Sequence, residues 1–282
     1  MATRNVSSMI DFINALINAE SDDIIEVLAD LDWNDVVDDI NTTVTIGSTS
    51  TTNLTVNGNN HTIYNIDRTY FTSGSAVFSL RSGSSGFKIN NLSYLNCHLS
   101  GNSNFRLWNL GNNNAEFIGG VIQGRFYGSP FAGVCTIRNF MMTFDFSKGN
   151  LMYTGTSLTV LYQNCWVRFN NCIYTPSSSA HIADNCKQCY FEGSIIYSGS
   201  ASGVLFSNMD SSCINVRADL GSNPSISSIA SARSGSETLL TIINSDKIVT
   251  MSPQTAKNLI TVTDEQMKNA EFLVLAGFDI IP

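Results

Sequence analysis

Cys135-Thr-Ile-Arg-Asn-Phe140, Cys165-Trp-Val-Arg-Phe-Asn170, Cys189-Tyr-Phe-Glu-Gly-Ser194 and Cys213-Ile-Asn-Val-Arg-Ala218 are one short phrase in four wordings. With Phe or Ala in place of the cysteine it also opens at Phe87 (Phe-Lys-Ile-Asn-Asn-Leu92) and Ala115 (Ala-Glu-Phe-Ile-Gly-Gly120), and a looser copy opens at Leu239. From Phe87 the steps are 28, 20, 30, 24, 24 and 26 residues. A period near 25 with insertions is the pattern of a solenoid, in which each copy supplies one strand to a stack. The spacing therefore predicts that Cys135, Cys165, Cys189 and Cys213 form one buried row of reduced thiols, acting as small hydrophobes.

The composition suits such a stack. Hydrophobic residues make up 43% of the 282, enough for a large core, while charged residues reach only 13%, about half the usual share. Asn, Ser, Thr and Gly fill the stretches between apolar runs, and these residues tolerate left-handed backbone or bond their own main chain in tight turns. A net charge of −8, from 15 Lys and Arg against 23 acids, argues against binding a nucleic acid backbone. No run approaches the roughly 18 apolar residues of a membrane span, and Met1-Ala-Thr-Arg-Asn-Val6 carries no apolar targeting core. The expectation is a chain that folds in the cytoplasm where it is made, without a signal peptide.

Residues 1–22 read as an N-terminal capping helix: Ser8-Met-Ile-Asp11 is a capping box, and Ile10, Ile13, Leu16 and Ile17 give an apolar face. Ile24 to Leu31 reads as the first strand of a body spanning 23–255. Residues 256–282 read as a C-terminal helical cap, with Thr263-Asp-Glu-Gln266 as its capping box and Gly277 as its stop. Between them, Leu54 to Ile66 forms two short strands around Asn57-Gly58-Asn59-Asn60, with His61 at the turn.

Val56-Asn-Gly-Asn-Asn-His-Thr-Ile63 resembles the first full coil of right-handed parallel β-helices of the pectin-lyase-like class, and Ile89-Asn-Asn-Leu-Ser-Tyr-Leu-Asn-Cys97 resembles one of their later rungs. The resemblance spans roughly residues 20 to 250. It implies an all-β fold, a single-stranded right-handed parallel β-helix of about seven or eight coils, with short capping helices at both ends. That fold hosts polysaccharide lyases, hydrolases, phage tailspikes and inert virion fibres, so it does not choose a chemistry. The stretch Asp264 to Phe278 also resembles closing segments of phage-encoded minor structural proteins.

A β-helix hydrolase needs two carboxylates on one face, about 5–5.5 Å apart for retention or about 6.5–9.5 Å for inversion. Asp145, Glu192 and Asp219 fall ten, three and six residues after their repeat starts, so they are expected to point in different directions. Arg138, Arg168 and Arg217 recur at offsets of three, three and four, which reads as a ladder of exposed arginines. The acids Asp30, Asp32, Asp35, Asp38 and Asp39 lack the glycine and bidentate Glu of an EF-hand and read as a solvated coil. Cys186 and Cys189 form a C-x-x-C without a second pair, which argues against zinc. His181-Ile-Ala-Asp184 has no nucleophile elbow beside it, and no phosphate-binding glycine loop occurs.

No catalytic, cofactor-binding or metal-ligating residue is assigned and no cofactor is expected. The favoured reading is a non-enzymatic structural component of a phage virion, a fibre, spike or decoration protein. It would work as a homotrimer among other virion proteins and contact host surface polysaccharide, without nucleic acid or membrane partners. The rival is a carbohydrate-active lyase or hydrolase with Trp108, Tyr127 and Trp166 lining a saccharide groove. Carboxylates paired on one face would favour the enzyme, and a smooth asparagine-rich face the structural role.

Overall fold

The structure, a computed structural model, describes residues 1–99, 105–147, 151–152, 160–176, 181–184, 186–210, 212–219, 226–232, 238–243 and 258–261. Among these residues it is all-β apart from one helix and short 3-10 turns, and its sheets are parallel. The chain divides into one unit of Met1–Phe140 with Gly155–Val160 and another of Met141–Thr154 with Leu161–Pro282.

In the N-terminal unit a first sheet runs through Thr3–Val6, Ile24–Val27, Thr55–Asn57, Lys88–Asn90 and Ala115–Phe126. A second runs through Val44–Ile46, Ala76–Leu80, Arg106–Asn109 and Phe131–Ala132. A third line joins Leu31–Asp32, Thr62–Tyr64, Ser93–Leu99 and the far half of Ala115–Phe126. From Ile24 the chain visits the first, third and second in constant rotation, so neighbours within a sheet lie one full circuit apart in sequence. The backbone ladder repeats with it: Ile24 donates to the Ala2 carbonyl, Thr55 to Asp23, Lys88 to Leu54 and Glu116 to Phe87, at 2.8–3.0 Å.

Strand alternation sends one set of side chains inward. Ile25, Val56, Ile89 and Phe117 stand in register and are fully buried, each contributing about 1.5–3 kcal/mol by leaving water. A chain of aromatic contacts continues the core. Phe78 stacks on Trp108 with centroids 4.5 Å apart, Trp108 meets Phe87 and Phe117 at 5.5 Å, and Phe117 meets Phe131 at 4.8 Å. At the turns, asparagines take the left-handed backbone expected of them, as at Asn59, Asn60, Asn65, Asn91 and Asn96. Gly58 is fixed by proximity instead: a Cβ there would sit 2.4 Å from the Asn91 carbonyl oxygen.

The helix occupies Met9–Ile17, with the Ser8 hydroxyl accepting from the Asp11 amide as its N-cap. It packs on the strands at Thr3–Val6, Ile24–Val27 and Val44–Ile46, and Phe12 meets Phe78 edge-on at 6.2 Å. Its buried face is Met9, Phe12, Ile13, Ala15 and Leu16. Ile10 and Ile17, expected on that face, are 40% and 37% exposed, because Phe12 and Met9 rather than the two isoleucines fill the space over the sheet. The strand Thr3–Val6 before the helix is an addition to the expected order.

One buried charge stands in the first sheet. Asp23 is 1% exposed, in the ladder position held elsewhere by Ala2, Leu54, Phe87 and Ala115. Its carboxylate accepts from Ala2 N at 2.7 Å, Glu20 N at 3.1 Å and Arg4 Nη2 at 3.0 Å. Burial pushes its pKa up, but these bonds and the Arg4 charge outweigh it and hold the group below the ordinary 3.8.

In the C-terminal unit the long sheet runs from Met141–Ser147, the second half of the strand Cys135–Ser147, through Trp166–Tyr174, Tyr190–Tyr197, Cys213–Asp219, Thr238–Ile243 and Asn258–Thr261. A second sheet joins Ala183–Asp184, Gly203–Met209 and Ile226–Ala232. The last strand of the long sheet falls in the stretch expected to open the C-terminal tail, and the helix expected from Thr263 to Gly277 lies outside the described residues.

The register corrects the cysteine row. Trp166 faces Tyr190, which puts Cys165 level with Cys189, as predicted. Tyr190, however, faces Cys213, so the residue level with Cys189 is Ser212, whose hydroxyl accepts from the Cys189 amide at 3.2 Å. Met141 faces Trp166, and Cys135 lies six residues upstream of that position, outside the row. The cause is parity: Ile214, Val216 and Ala218 take the buried positions of that strand, and a one-residue shift moves every side chain to the other face.

Candidate functional site

The three acids considered for hydrolysis are not brought together. Glu192 stands in the row Thr143, Arg168, Glu192, Asn215, and Asp219 in the row Phe146, Ile173, Ile196, Asp219. Those rows are four residues apart along the strand, about 13 Å at the usual rise. Asp145 sits where the pairing slips between Phe144 and Phe146. Glu192 accepts from Arg168 Nε at 2.6 Å, so its carboxylate is held against a cation on the next strand.

The expected arginine ladder is replaced by pairs of opposite sign. Arg168 faces Thr143 rather than Arg138, and Arg217 faces Ser194. Glu116 lies between Lys88, at 3.9 Å, and Arg138, which also bonds it. These pairs are half-exposed, so each adds at most about 1 kcal/mol, but they neutralise carboxylates that would otherwise be available.

Amides form ladders of the same kind. Asn57 Nδ2 donates to Glu26 Oε1 at 2.7 Å, and Asn90 Nδ2 to Asn57 Oδ1 at 3.0 Å. On the third line Asn65 Nδ2 donates to Asp32 at 2.9 Å, and Asn96 Nδ2 to Asn65 Oδ1 at 2.5 Å. The steps of 31 to 33 residues in these ladders are longer than the 24-residue steps of the cysteine-led phrases and belong to the N-terminal stretch.

The acid cluster is divided among structural tasks. Asp30 accepts from the Thr62 amide at 2.9 Å and meets His61 Nδ1 at 3.3 Å, while Asp32 caps the 3-10 turn Trp33–Val36; Asp35 within that turn and Asp38 and Asp39 just after it are exposed on the surface. His98 Nδ1 meets Asp67 at 3.1 Å. Burial works to raise the Asp67 pKa, but the Thr69 amide and hydroxyl and His98 outweigh it and hold it low.

His181 and Asp184 turn to different partners: His181 Nδ1 meets the Val204 carbonyl at 2.8 Å, and Asp184 accepts from Asn208 Nδ2 at 2.8 Å. The thiols of Cys165, Cys186 and Cys189 are buried together, and burial raises the pKa values of Cys186 and Cys189. Cys97 and Cys172 are pushed up to about 12 by the same cause. Thiols so far from ionisation are poor nucleophiles and poor metal ligands at neutral pH. Among the described residues, no group of three His, Cys, Asp or Glu converges as a metal site requires.

Of the aromatics considered for a saccharide groove, Trp108 is fully buried, its indole N–H donating to the Tyr94 hydroxyl at 3.2 Å. Leu107 and Leu110 beside it are buried as well, so the indole stands in an interior run rather than on a solvent face. Tyr127 and Trp166 are half-buried. Trp166 packs edge-on against Tyr190 at 5.0 Å on the outward face of the long sheet. Met141, Ile173 and Ile196 are exposed on that face at 42%, 42% and 43%, around the Arg168–Glu192 pair.

No family model matches the chain, no curated protein is significantly similar to it, and no solved structure significantly matches it. Among the described residues no helix is long and apolar enough to cross a membrane.

Proposed function

We propose that this chain is a non-enzymatic structural component of a phage virion, a fibre, spike or decoration protein, whose body is a right-handed single-stranded parallel β-helix. The observation that carries the reading is where the outward polar groups go. Glu26, Asn57 and Asn90, then Asp32, Asn65 and Asn96, then Glu116 and Glu192, bond to residues on the neighbouring strand. Groups engaged laterally make a rigid shaft and leave little chemistry facing solvent. The constant rotation of the N-terminal chain through three parallel sheets supports the β-helix body.

The working form under this reading is a homotrimer within the particle, with host surface polysaccharide as a further partner. The outward apolar positions Met141, Ile173 and Ile196 are where a second copy packs, and the Arg168–Glu192 pair among them offers a mate one charge of each sign. The test is antibody labelling and electron microscopy of particles released from cells that carry the gene, with label expected at a constant place on the particle. The reading fails if the chain stays in the soluble lysate and releases sugars from host capsule or wall, with that release lost in Glu192→Ala.

A further inference from the structure

In the N-terminal unit, the loops at 81–86 and 110–114, with the strand ends at Leu80 and Asn109, border an open cleft of about 640 Å³, within the usual range for small-ligand sites. Its lining includes Leu80, Ser82, Ser84, Asn109, Asn112 and Asn113. None of its lining residues is ionisable: Arg81, in the bordering loop, turns its guanidinium to the Gly47 carbonyl at 3.0 Å, and Lys88 and Glu116 stand on two strands of the first sheet and pair with each other. An ionic ligand would find no counter-charge there. Every polar side chain in the lining is a hydroxyl or a carboxamide, and each can donate and accept at once. That is the complement of a molecule whose polar groups are themselves hydroxyls.

Two of these side chains are more than nine-tenths buried. Asn113 is 5% exposed, yet its amide nitrogen reaches only the Arg81 carbonyl, at 3.5 Å, longer than a well-formed bond. Ser84 is 3% exposed; its hydroxyl oxygen accepts from the Thr51 amide at 3.1 Å and from the Thr51 hydroxyl at 3.5 Å, and its own proton remains to donate. A buried amide with donor capacity left over is uncommon and calls for a partner. Gly111 beside Asn113 takes φ +55°, a left-handed backbone that residues with a Cβ rarely adopt.

We propose that this cleft binds a neutral, hydroxyl-rich ligand of the saccharide class, with Asn113 and Ser84 at its floor, Ser82 and Asn112 at its mouth and Leu80 against the ring carbons. The inference rests on the proposed virion role only for the source of the ligand, host polysaccharide. Binding is expected to be indifferent to salt, because no charge lines the site.

The full chain is titrated with glucose, galactose and N-acetylglucosamine, with glucuronate as the charged control, and followed by saturation-transfer NMR. At least one neutral sugar should bind saturably, equally at low and high salt, and about tenfold more weakly to Asn113→Asp. Should Asn113→Asp fail to fold, the double variant Ser82→Ala/Asn112→Ala, at two exposed positions, carries the same expectation. The proposal is overturned if no neutral sugar binds saturably, if binding survives the folded variants unchanged, or if glucuronate is preferred in a salt-sensitive way. The assay needs no particle: sugar binding without particle labelling sinks only the virion role, and particle labelling without sugar binding sinks only the cleft.

Discussion

The outward faces of the two units are built from different chemistry over the same inward alternation. In the N-terminal unit the first sheet presents Glu26, Asn57 and Asn90 in one row and Lys88 and Glu116 in another, each bonded to the next. In the C-terminal unit the long sheet presents Met141, Trp166 and Tyr190 in one row and Phe146, Ile173 and Ile196 in another, with Arg168 and Glu192 between. Inside, both units bury aliphatic and aromatic residues completely. Burial dictates the inner residues because a parallel sheet without an apolar face has nothing to hold it to its neighbours. The outer residues are not so constrained, and their difference is where use is recorded.

The inner sameness can be broken first. Trp108→Ala in one unit and Phe191→Ala in the other should each cost about 3–5 kcal/mol by urea denaturation, since both side chains are fully buried. A cost below 1 kcal/mol at either would mean that the units do not share one inner logic. Asp23→Ala should follow at about 3 kcal/mol, because it leaves Arg4 and two amides without their acceptor. Its pH signature has a definite sign. The folded pKa lies below 3.8, so the stabilisation is complete well above that value and disappears as pH falls through the folded pKa. In Asp23→Asn the acid limb of the stability profile should flatten, and an unchanged limb would remove Asp23 as its source.

Outer substitutions test the contrast at smaller scale. A double-mutant cycle on Arg168 and Glu192 should give a coupling of about 0.2–1 kcal/mol, as exposed pairs do; a value above 2 would mean that the pair is desolvated in an assembly. The smallest effect on unfolding, within about 0.5 kcal/mol, is expected for Ile173→Lys with Ile196→Lys. Light scattering is the sharper readout there: the proposed trimer should fall to the 30.7 kDa monomer. Lys88→Ala, on the polar face, should leave the mass unchanged. A wild-type chain that is already monomeric would end the trimer reading.

Much of this was legible in the residues. Strand after strand opens where the repeat phrase predicted, and the turn asparagines and the level pairing of Phe87 with Ala115 and Cys165 with Cys189 agree with it. What failed was register to the single residue. Cys213 looks like its predecessors in wording, but the pairing sets it level with Tyr190 and leaves Ser212 level with Cys189, and the parity of Ile214, Val216 and Ala218 was the signal to follow. The near-register of the arginines failed for the same reason. Asp23 is hidden because a buried acid looks like a loop acid until Arg4 is placed beside it, and Trp108 reads as a surface residue in sequence although Leu107, Trp108 and Leu110 are all interior. The cleft had no signal at all, since Ser and Asn are common throughout and only the approach of two distant loops makes them a site.

The lateral ladders also set a timetable. Each strand bonds to one that left the ribosome one circuit earlier, as in the 31 residues from Glu26 to Asn57 and the 33 from Asn57 to Asn90. At the usual pace of synthesis that interval is roughly two to six seconds. During each interval the newest strand is an open edge, able to pair with any other chain that offers one. Nascent chains crowded on one messenger are therefore most vulnerable while the next circuit is still inside the ribosome. A pause in translation would prolong that exposure, and the yield of folded protein should track elongation speed at least as closely as the stability of the finished molecule.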